Sequence, residues 1–447
     1  MRETDVAVIG GSAAGITAAK TCRRHYPEKK VLVIRGEEQV PIPCGIPYVF
    51  GTVESPQNNI IPDDVLKEGD IDLLVDEVEK VNKEDKTLTT KEEEKITYDK
   101  LVLATGSSPV EPPIPGIEKE NVFTVKKNVP YLRNISNAID EAQDLVIIGG
   151  GFIGMELGDE CRKRKETNVK IVEKLPHCLM LGGFDSEFCE KSEKVISDRG
   201  VELLTGNGVE SIIGGEKAEG VELENGKEIN ADAVILAVGS RPNVELAENA
   251  NLELGANGAV HVDRHLKTTN NDIFACGDCA EKRSFFTGEP TQIMLASIAT
   301  MEARVAGANL FGMRRENPGQ VGIYSTKFGD TAFAVAGLSE RAAREKGYNV
   351  VSGRFTAPNR HPGGMPGMKK TEVKLTFNRD TEVLIGGQVM GGFSSGELIN
   401  VVGACIQSRM TANDIATLQM GTHPALTASP VAYQLPNAAE DAIGKMR

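Results

Sequence analysis

Apolar residues in this chain fall in short continuous runs that stop abruptly at glycine. Asp5-Val-Ala-Val-Ile9 runs into Gly10-Gly-Ser-Ala-Ala-Gly15, and Ile16-Thr-Ala-Ala-Lys-Thr-Cys-Arg-Arg-His25 after it carries helical spacing. Lys30-Val-Leu-Val-Ile34 follows directly. This order predicts strand, tight turn, helix and parallel strand within about 30 residues, a βαβ unit. It returns at Asp144-Leu-Val-Ile-Ile148, Gly149-Gly-Gly-Phe-Ile-Gly154, a helix from Met155, and Val169-Lys-Ile-Val172. Three further runs end in glycine: Leu101 to Gly106, Ala233 to Gly239 and Ile273 to Gly277. Such runs fit buried parallel strands whose carboxyl ends face a ligand. Beyond residue 321 this grammar stops, and Thr371-Glu-Val-Lys-Leu-Thr-Phe377 alternates as a half-buried strand does. The pattern predicts an α/β protein with two dinucleotide-binding units and a separate α+β domain at residues 322–447.

Composition narrows the partners. With 40% hydrophobic and 26% charged residues over 447 positions, the chain is an ordinary folded one. Lys plus Arg is 50 against 64 Asp plus Glu, a net charge of −14, which disfavours nucleic acid and anionic membranes as partners. No apolar run reaches 18 residues, so no membrane span is expected. The first residues lead into a strand without a signal-like apolar core, which predicts a cytoplasmic protein. The basic run Arg162-Lys-Arg-Lys165 reads as cations at a helix end, and His177-Cys178 lack further ligands at metal spacing, so no metal is assigned. The eight cysteines show no disulfide-scaffold spacing.

The glycine turns carry the nucleotide chemistry. Glycine lets backbone amides approach a pyrophosphate at a helix N-terminus. The second turn is complete, with Gly149, Gly151 and Gly154 framing Phe152 and Ile153. Glu173 follows at the end of the next strand, near the spacing of about 20 residues seen for a ribose-binding acid. An acid there favours NADH over NADPH, and Lys174 beside it softens that preference. The first turn has Gly10 and Gly15, with Ser12, Ala13 and Ala14 between them. Its next strand ends in Arg35 rather than an acid, which leaves Glu37 or Glu38 as substitutes.

One cysteine stands out. Cys44 lies in Pro41-Ile-Pro-Cys-Gly-Ile-Pro-Tyr48, where prolines and glycine fix the backbone. Thiolate chemistry needs a lowered thiol pKa and a fixed approach, which a rigid loop opening into a helix N-terminus supplies.

The two glycine turns, Cys44 in its loop, Ala104-Thr-Gly106 and Cys276-Gly-Asp278 together resemble the flavin-dependent pyridine nucleotide–disulfide oxidoreductases, over nearly the whole chain. More narrowly they resemble the single-cysteine branch of coenzyme A disulfide reductases, persulfide or polysulfide reductases, NADH oxidases and NADH peroxidases. Members of the glutathione reductase type carry Cys-x4-Cys at this loop, whereas Cys44 has no second cysteine before Cys161. The resemblance implies two Rossmann-like domains and a C-terminal dimerisation domain. FAD would occupy residues 1–112 and 250–321, NAD(P)H residues 113–249, and residues 322–447 would pair two subunits.

By the same resemblance, Gly10, Ser12, Ala13, Ala14, Gly15, Arg35, Val78, Ala104, Thr105, Gly106, Gly277, Asp278 and Ala296 would bind FAD. Gly149, Gly151, Phe152, Ile153, Gly154, Glu173 and Gly239 would bind NADH. Thr17, Thr21 and Arg24, on one helical face, fall near where the family places coenzyme A phosphates. Arg360, His361 and Tyr433 would approach the partner subunit's thiol in a homodimer. The implied reaction reduces a sulfur–sulfur bond of coenzyme A disulfide, coenzyme A persulfide or polysulfide at Cys44 with NAD(P)H as donor. NADH oxidation by oxygen is one alternative, and a flavoprotein that donates electrons to, or senses NADH for, a protein partner is another. The chain departs from the branch where Ser-Phe-x-x-Cys becomes Val40-Pro-Ile-Pro-Cys44, which removes serine and asparagine contacts expected near the thiol. Peroxidase members carry histidine at the position of Ala13, so peroxide is disfavoured. Cys276-Gly-Asp-Cys279 has CxxC spacing but no partner pair, and reads as structural thiols with an accessory redox role as the alternative.

Overall fold

A computed structural model describes residues 2–164 and 167–447, so Lys165 of the basic run lies outside the described residues. The chain divides into two compact units. One comprises residues 1–112, 124–137 and 238–320, the other 113–123, 138–237 and 321–447.

The first unit is built on a seven-stranded sheet. Its parallel part runs Asp72–Val75, Val31–Arg35, Arg2–Ile9, Lys95–Leu103 and Ile273–Ala275, with Val6 opposite Val31 and Val8 opposite Val102. The antiparallel strands Thr87–Thr90 and Val78–Asn82 extend it beyond Lys95–Leu103. The apolar runs of the sequence are its central strands, buried throughout because helices Ala13–His25 and Ala296–Asn309 pack there. Those two helices approach closely: a Cβ on Gly307 would collide with the Ala18 carbonyl, and the Tyr26 hydroxyl donates to Ala308 O at 2.6 Å.

In the second unit, Val201–Thr205, Asn168–Glu173, Asp144–Ile148 and Ala233–Leu236 lie parallel in one sheet. The helix after Asp144–Ile148 spans Phe152–Cys161 and starts a turn earlier than its apolar pattern predicts, because Gly151 serves as N-cap. Gly154 therefore lies inside the helix, where a Cβ would strike the Gly149 carbonyl. The same unit holds an antiparallel five-stranded sheet in the order Ile323–Phe328, Thr331–Gly337, Leu384–Gly391, Lys370–Asn378, Val350–Pro358. Helices Ser395–Gln407 and Gln434–Met446 follow it.

The strand Lys370–Asn378 departs from the half-buried alternation expected of it, since Thr371 and then every residue from Val373 to Phe377 is buried. Its one buried charge is covered by carboxylates: Lys374 Nζ lies 2.7 Å from Asp185, 2.9 Å from Glu187 and 3.1 Å from Glu340. Among the described residues, no helix is long and apolar enough to cross a membrane.

Candidate active site

The first unit contains a cavity of about 780 Å³ at the carboxyl ends of its parallel strands, the position where open α/β sheets bind ligands. Ser12, Ala13 and Ala14, at the start of helix Ala13–His25, line it together with Gly10. Ala296, the first residue of helix Ala296–Asn309, lines it as well. Two helix N-termini thus present partial positive charge to one space, which suits a pyrophosphate or a reduced anionic ring. Ala104, Thr105 and Gly106 complete this wall, and a Cβ on Gly106 would stand in open space, at φ +72°. Asn243 fixes that segment: its amide donates to Thr105 O at 2.9 Å, and the Thr105 hydroxyl donates to Asn243 O at 2.8 Å.

Asp278 also faces the cavity. Its Oδ2 accepts from the Ser107 hydroxyl at 2.7 Å and from Lys127 Nζ at 3.4 Å. Gly277 lies behind it, and its amide donates to Glu302 at 2.9 Å. Glu302 is fully buried and paired with buried Lys282 at 2.9 Å, while Lys282 also donates to Gly277 O at 2.6 Å. Complete burial pushes the Glu302 carboxyl up, and Lys282 pulls against it. Charge buried this deeply is retained only where both ions are fully bonded, and here the bonds hold the Gly277-Asp278 turn in place.

Other candidates lie away from the cavity wall. Gly15 sits inside its helix, where a Cβ would strike the Gly10 carbonyl, so it shapes the turn by close packing. Val78 is a buried core residue. Arg35 is buried, with its guanidinium on Asp63 at 2.7 and 3.1 Å and on the carbonyls of Glu37 at 2.8 Å and Glu38 at 2.7 Å. Its hydrogen-bonding capacity is thus directed at this loop, and Glu37 rather than Arg35 reaches the cavity. Thr17 and Thr21 are half-buried along the first helix, and Arg24 is exposed at its end.

Cys44 is exposed, whereas the other seven cysteines are buried. No α-helix opens at its loop: two short 3-10 turns, Pro43–Gly45 and Pro47–Phe50, replace the expected helix, since the prolines remove amides that an α-helix would need. Pro41 and Pro43, on either side of Ile42, line the cavity, which places Cys44 next to its wall. Asn59, itself buried, braces this turn: its side-chain amide donates to Ile42 O at 2.9 Å, and a Cβ on Gly45 would collide with its Oδ1. An asparagine thus reaches the loop from further along the chain. Burial pushes the thiols of Cys22, Cys161 and Cys189 up to about 12, and raises those of Cys178, Cys276, Cys279 and Cys405 as well. The Cys276 and Cys279 sulfurs have no solvent exposure, and Cys279 Sγ lies 3.4 Å from Cys276 O.

In the second unit, Gly151 at the helix N-cap faces open space where a Cβ would otherwise fill the cradle. Glu173 lies beside it: its carboxylate accepts from the Gly150 amide at 2.7 Å and the Leu175 amide at 2.8 Å, so the acid is fixed to the turn. Lys174 is engaged by Glu224 at 2.7 Å. Phe152 is half-buried and Ile153 exposed. His361 directs Nδ1 at Thr427 O, 3.2 Å away, and since a carbonyl only accepts, Nδ1–H donates and Nε2 is left as the proton site. Tyr433 is buried before the last helix, which raises its phenol pKa, and Arg360 donates to Pro366 O. Gly239, in the first unit, has φ +107° and open space at its Cβ position.

A profile of the pyridine nucleotide-disulphide oxidoreductases matches residues 4–303, and the dimerisation domain of the same family matches residues 323–432. The chain belongs to this family. It is similar to a Methanocaldococcus jannaschii protein named NADH oxidase, 33% identical over 98% of each chain. It is likewise similar to a Pyrococcus horikoshii NAD(P)H coenzyme A polysulfide/persulfide reductase, 33% identical over 86% of this chain and 87% of that one. Among solved structures, an NAD-dependent persulfide reductase from A. fulgidus superposes with a TM-score of 0.91 at 30% identity, over 99% of this chain and 83% of that one. This pyridine nucleotide–disulphide oxidoreductase is therefore an enzyme using FAD and NAD(P)H. Both groups fit the residues present: the open Gly106 and paired helix N-termini suit FAD, and the open Gly151 cradle with Glu173 suits a dinucleotide.

Proposed function

We propose that this enzyme uses NAD(P)H to reduce a sulfur–sulfur bond, in coenzyme A disulfide, coenzyme A persulfide or polysulfide, at Cys44. The exposure of Cys44 alone among eight cysteines, on a braced turn beside the cavity, carries this reading. FAD, when bound, supplies a two-electron relay between nicotinamide and thiol. The chain does the rest. The Cys44 thiolate attacks one sulfur of the substrate, forming a mixed disulfide or persulfide and expelling the other sulfur as thiolate. Two electrons then break that bond and restore the Cys44 thiolate. For a disulfide, the net reaction consumes one NADH and one proton and yields two thiols.

Asp278, set by Ser107 and Lys127, serves the hydroxyls of the FAD side chain, and Glu37 serves the adenosine ribose. The open Gly151 cradle takes the pyrophosphate of NADH, and Glu173 accepts from its ribose. Thr17, Thr21 and Arg24 serve coenzyme A. In a homodimer formed through residues 323–432, His361 Nε2 and the Tyr433 phenol handle the proton on the partner's leaving sulfur, with Arg360 at the same site. Cys44→Ser tests the reading. The variant is expected to keep FAD and its reduction by NADH while losing turnover of sulfur substrates, and surviving turnover would overturn the mechanism.

The match to an NADH oxidase over 98% of both chains favours one second reading, in which oxygen takes the electrons and Cys44 cycles through its sulfenic acid.

A further inference from the structure

The helix that opens the dinucleotide cradle is gripped along its length by the C-terminal domain. Phe152, Glu156 and Asp159 stand at i, i+4 and i+7 of helix Phe152–Cys161 and share a face. Strand Ile323–Phe328 and the turn after it meet that face residue by residue. The Phe152 and Tyr324 rings are stacked, with centroids 4.9 Å apart and planes 5° from parallel. Two residues along the strand, on the same side, the Thr326 hydroxyl donates to Glu156 Oε1 at 2.7 Å. The Gly329 amide, in the turn, points at Asp159 Oδ2 at 3.5 Å, and Arg199 binds the other oxygen of that carboxylate.

The Phe152 ring is confined on further sides. Phe184 packs at 6.0 Å, and Gly182 is so close that a Cβ there would collide with the ring edge. Phe152 is the first residue of the helix, directly after Gly151. A pyrophosphate is bound by amides of the first helical turn, whose usefulness depends on where that turn is held. Fixing the ring fixes those amides.

We infer that Tyr324 and Thr326 are positioning residues of the dinucleotide site, holding the first turn of helix Phe152–Cys161 through Phe152 and Glu156. Affinity for a nucleotide pyrophosphate is then set in part by a domain that carries no nucleotide motif. The inference rests on the reading of Gly149 to Gly154 as the NADH cradle, and its test separates the two.

The probe is ADP-ribose, which carries the pyrophosphate and no redox chemistry, titrated calorimetrically into the FAD-loaded full chain. Tyr324→Ala and Thr326→Val are each expected to weaken binding about 3- to 10-fold, the worth of one aromatic pair or one hydrogen bond. Tyr324→Phe, which keeps the ring, should stay within about twofold of the native value, a difference well under one such contact. In steady state the same variants should raise KM for NADH with kcat unchanged. If Tyr324→Ala does not fold, Tyr324→Leu takes its place with most of the volume kept. Unchanged ADP-ribose affinity in folded variants would overturn the inference, as would a Tyr324→Phe loss equal to that of Ala, or a fall in kcat with KM constant. Failure of the native protein to bind ADP-ribose would overturn the cradle reading itself.

Discussion

At the scale of single residues, reactivity follows from what covers each sulfur. A thiol withdrawn from water holds its proton, because burial disfavours the thiolate that would react. Seven of the eight cysteines are buried in this way, and Cys44 is exposed. A mild alkylating reagent should therefore label one site on the native protein, identified by mass spectrometry as Cys44, and Cys44→Ser should remove the label. Labelling at Cys276 or Cys279 would contradict the buried placement and revive an accessory redox role for that pair. The residues that matter around Cys44 were unequally legible. The loop announces itself through its prolines and glycine. Asn59 does not, since an asparagine that turns back to brace Ile42 and Gly45 has no local pattern. Arg35, expected at FAD, instead binds Asp63 and the Glu37 and Glu38 carbonyls, and nothing local in the sequence marks Asp63 as its partner.

At the scale of elements, the apolar runs ending in glycine matched parallel strands because a strand buried on both faces is continuously apolar and its carboxyl end turns at a residue free to take positive φ. Long-range polar clusters escaped, because pairing between distant charges has no period. Lys282 and Glu302 are one such pair. Glu302→Ala leaves Lys282 buried and unpaired, with an expected cost of about 3–5 kcal/mol. Chemical denaturation should show that loss, and the released Gly277-Asp278 turn should lower FAD retention on gel filtration. Stability and FAD content both matching the native protein would contradict the positioning role.

The cluster around Lys374 explains the unexpectedly buried strand Lys370–Asn378 and makes a pH prediction. Partial burial works to raise the Glu340 carboxyl, but bonds from Arg344 and Lys374 outweigh it and hold it at about 2. A carboxyl with a folded pKa below its unfolded value stabilises the fold above the unfolded pKa, and that contribution is lost as pH falls through the folded one. The native protein should therefore lose unfolding temperature as pH drops from the usual carboxylate range towards 2, and Glu340→Gln should lose less over the same window. Parallel pH profiles for the two proteins would remove Glu340 from the account.

At the scale of the whole molecule, the two nucleotide units were legible from their glycine turns, and the family's dimerisation domain from the end of that grammar. The grip of strand Ile323–Phe328 on helix Phe152–Cys161 was not, because stacking between Phe152 and Tyr324 links residues whose local contexts look unrelated. The proposed dimer gives a mixing experiment. Cys44→Ser chains and chains changed at both His361 and Tyr433 should each be inactive alone. Mixed dimers should regain activity at up to one site in two if each site draws on both subunits. No recovery despite demonstrated subunit exchange would show that the sites are not shared.

In the proposed reaction the electrons go to sulfur. The most direct measurement takes one FAD-loaded preparation, with NADH saturating, and compares kcat/KM for coenzyme A disulfide, polysulfide and oxygen. The highest value is expected for a sulfur substrate, with its collapse in Cys44→Ser. A value for oxygen far above both sulfur substrates would overturn the sulfur reaction and make the enzyme an NADH oxidase.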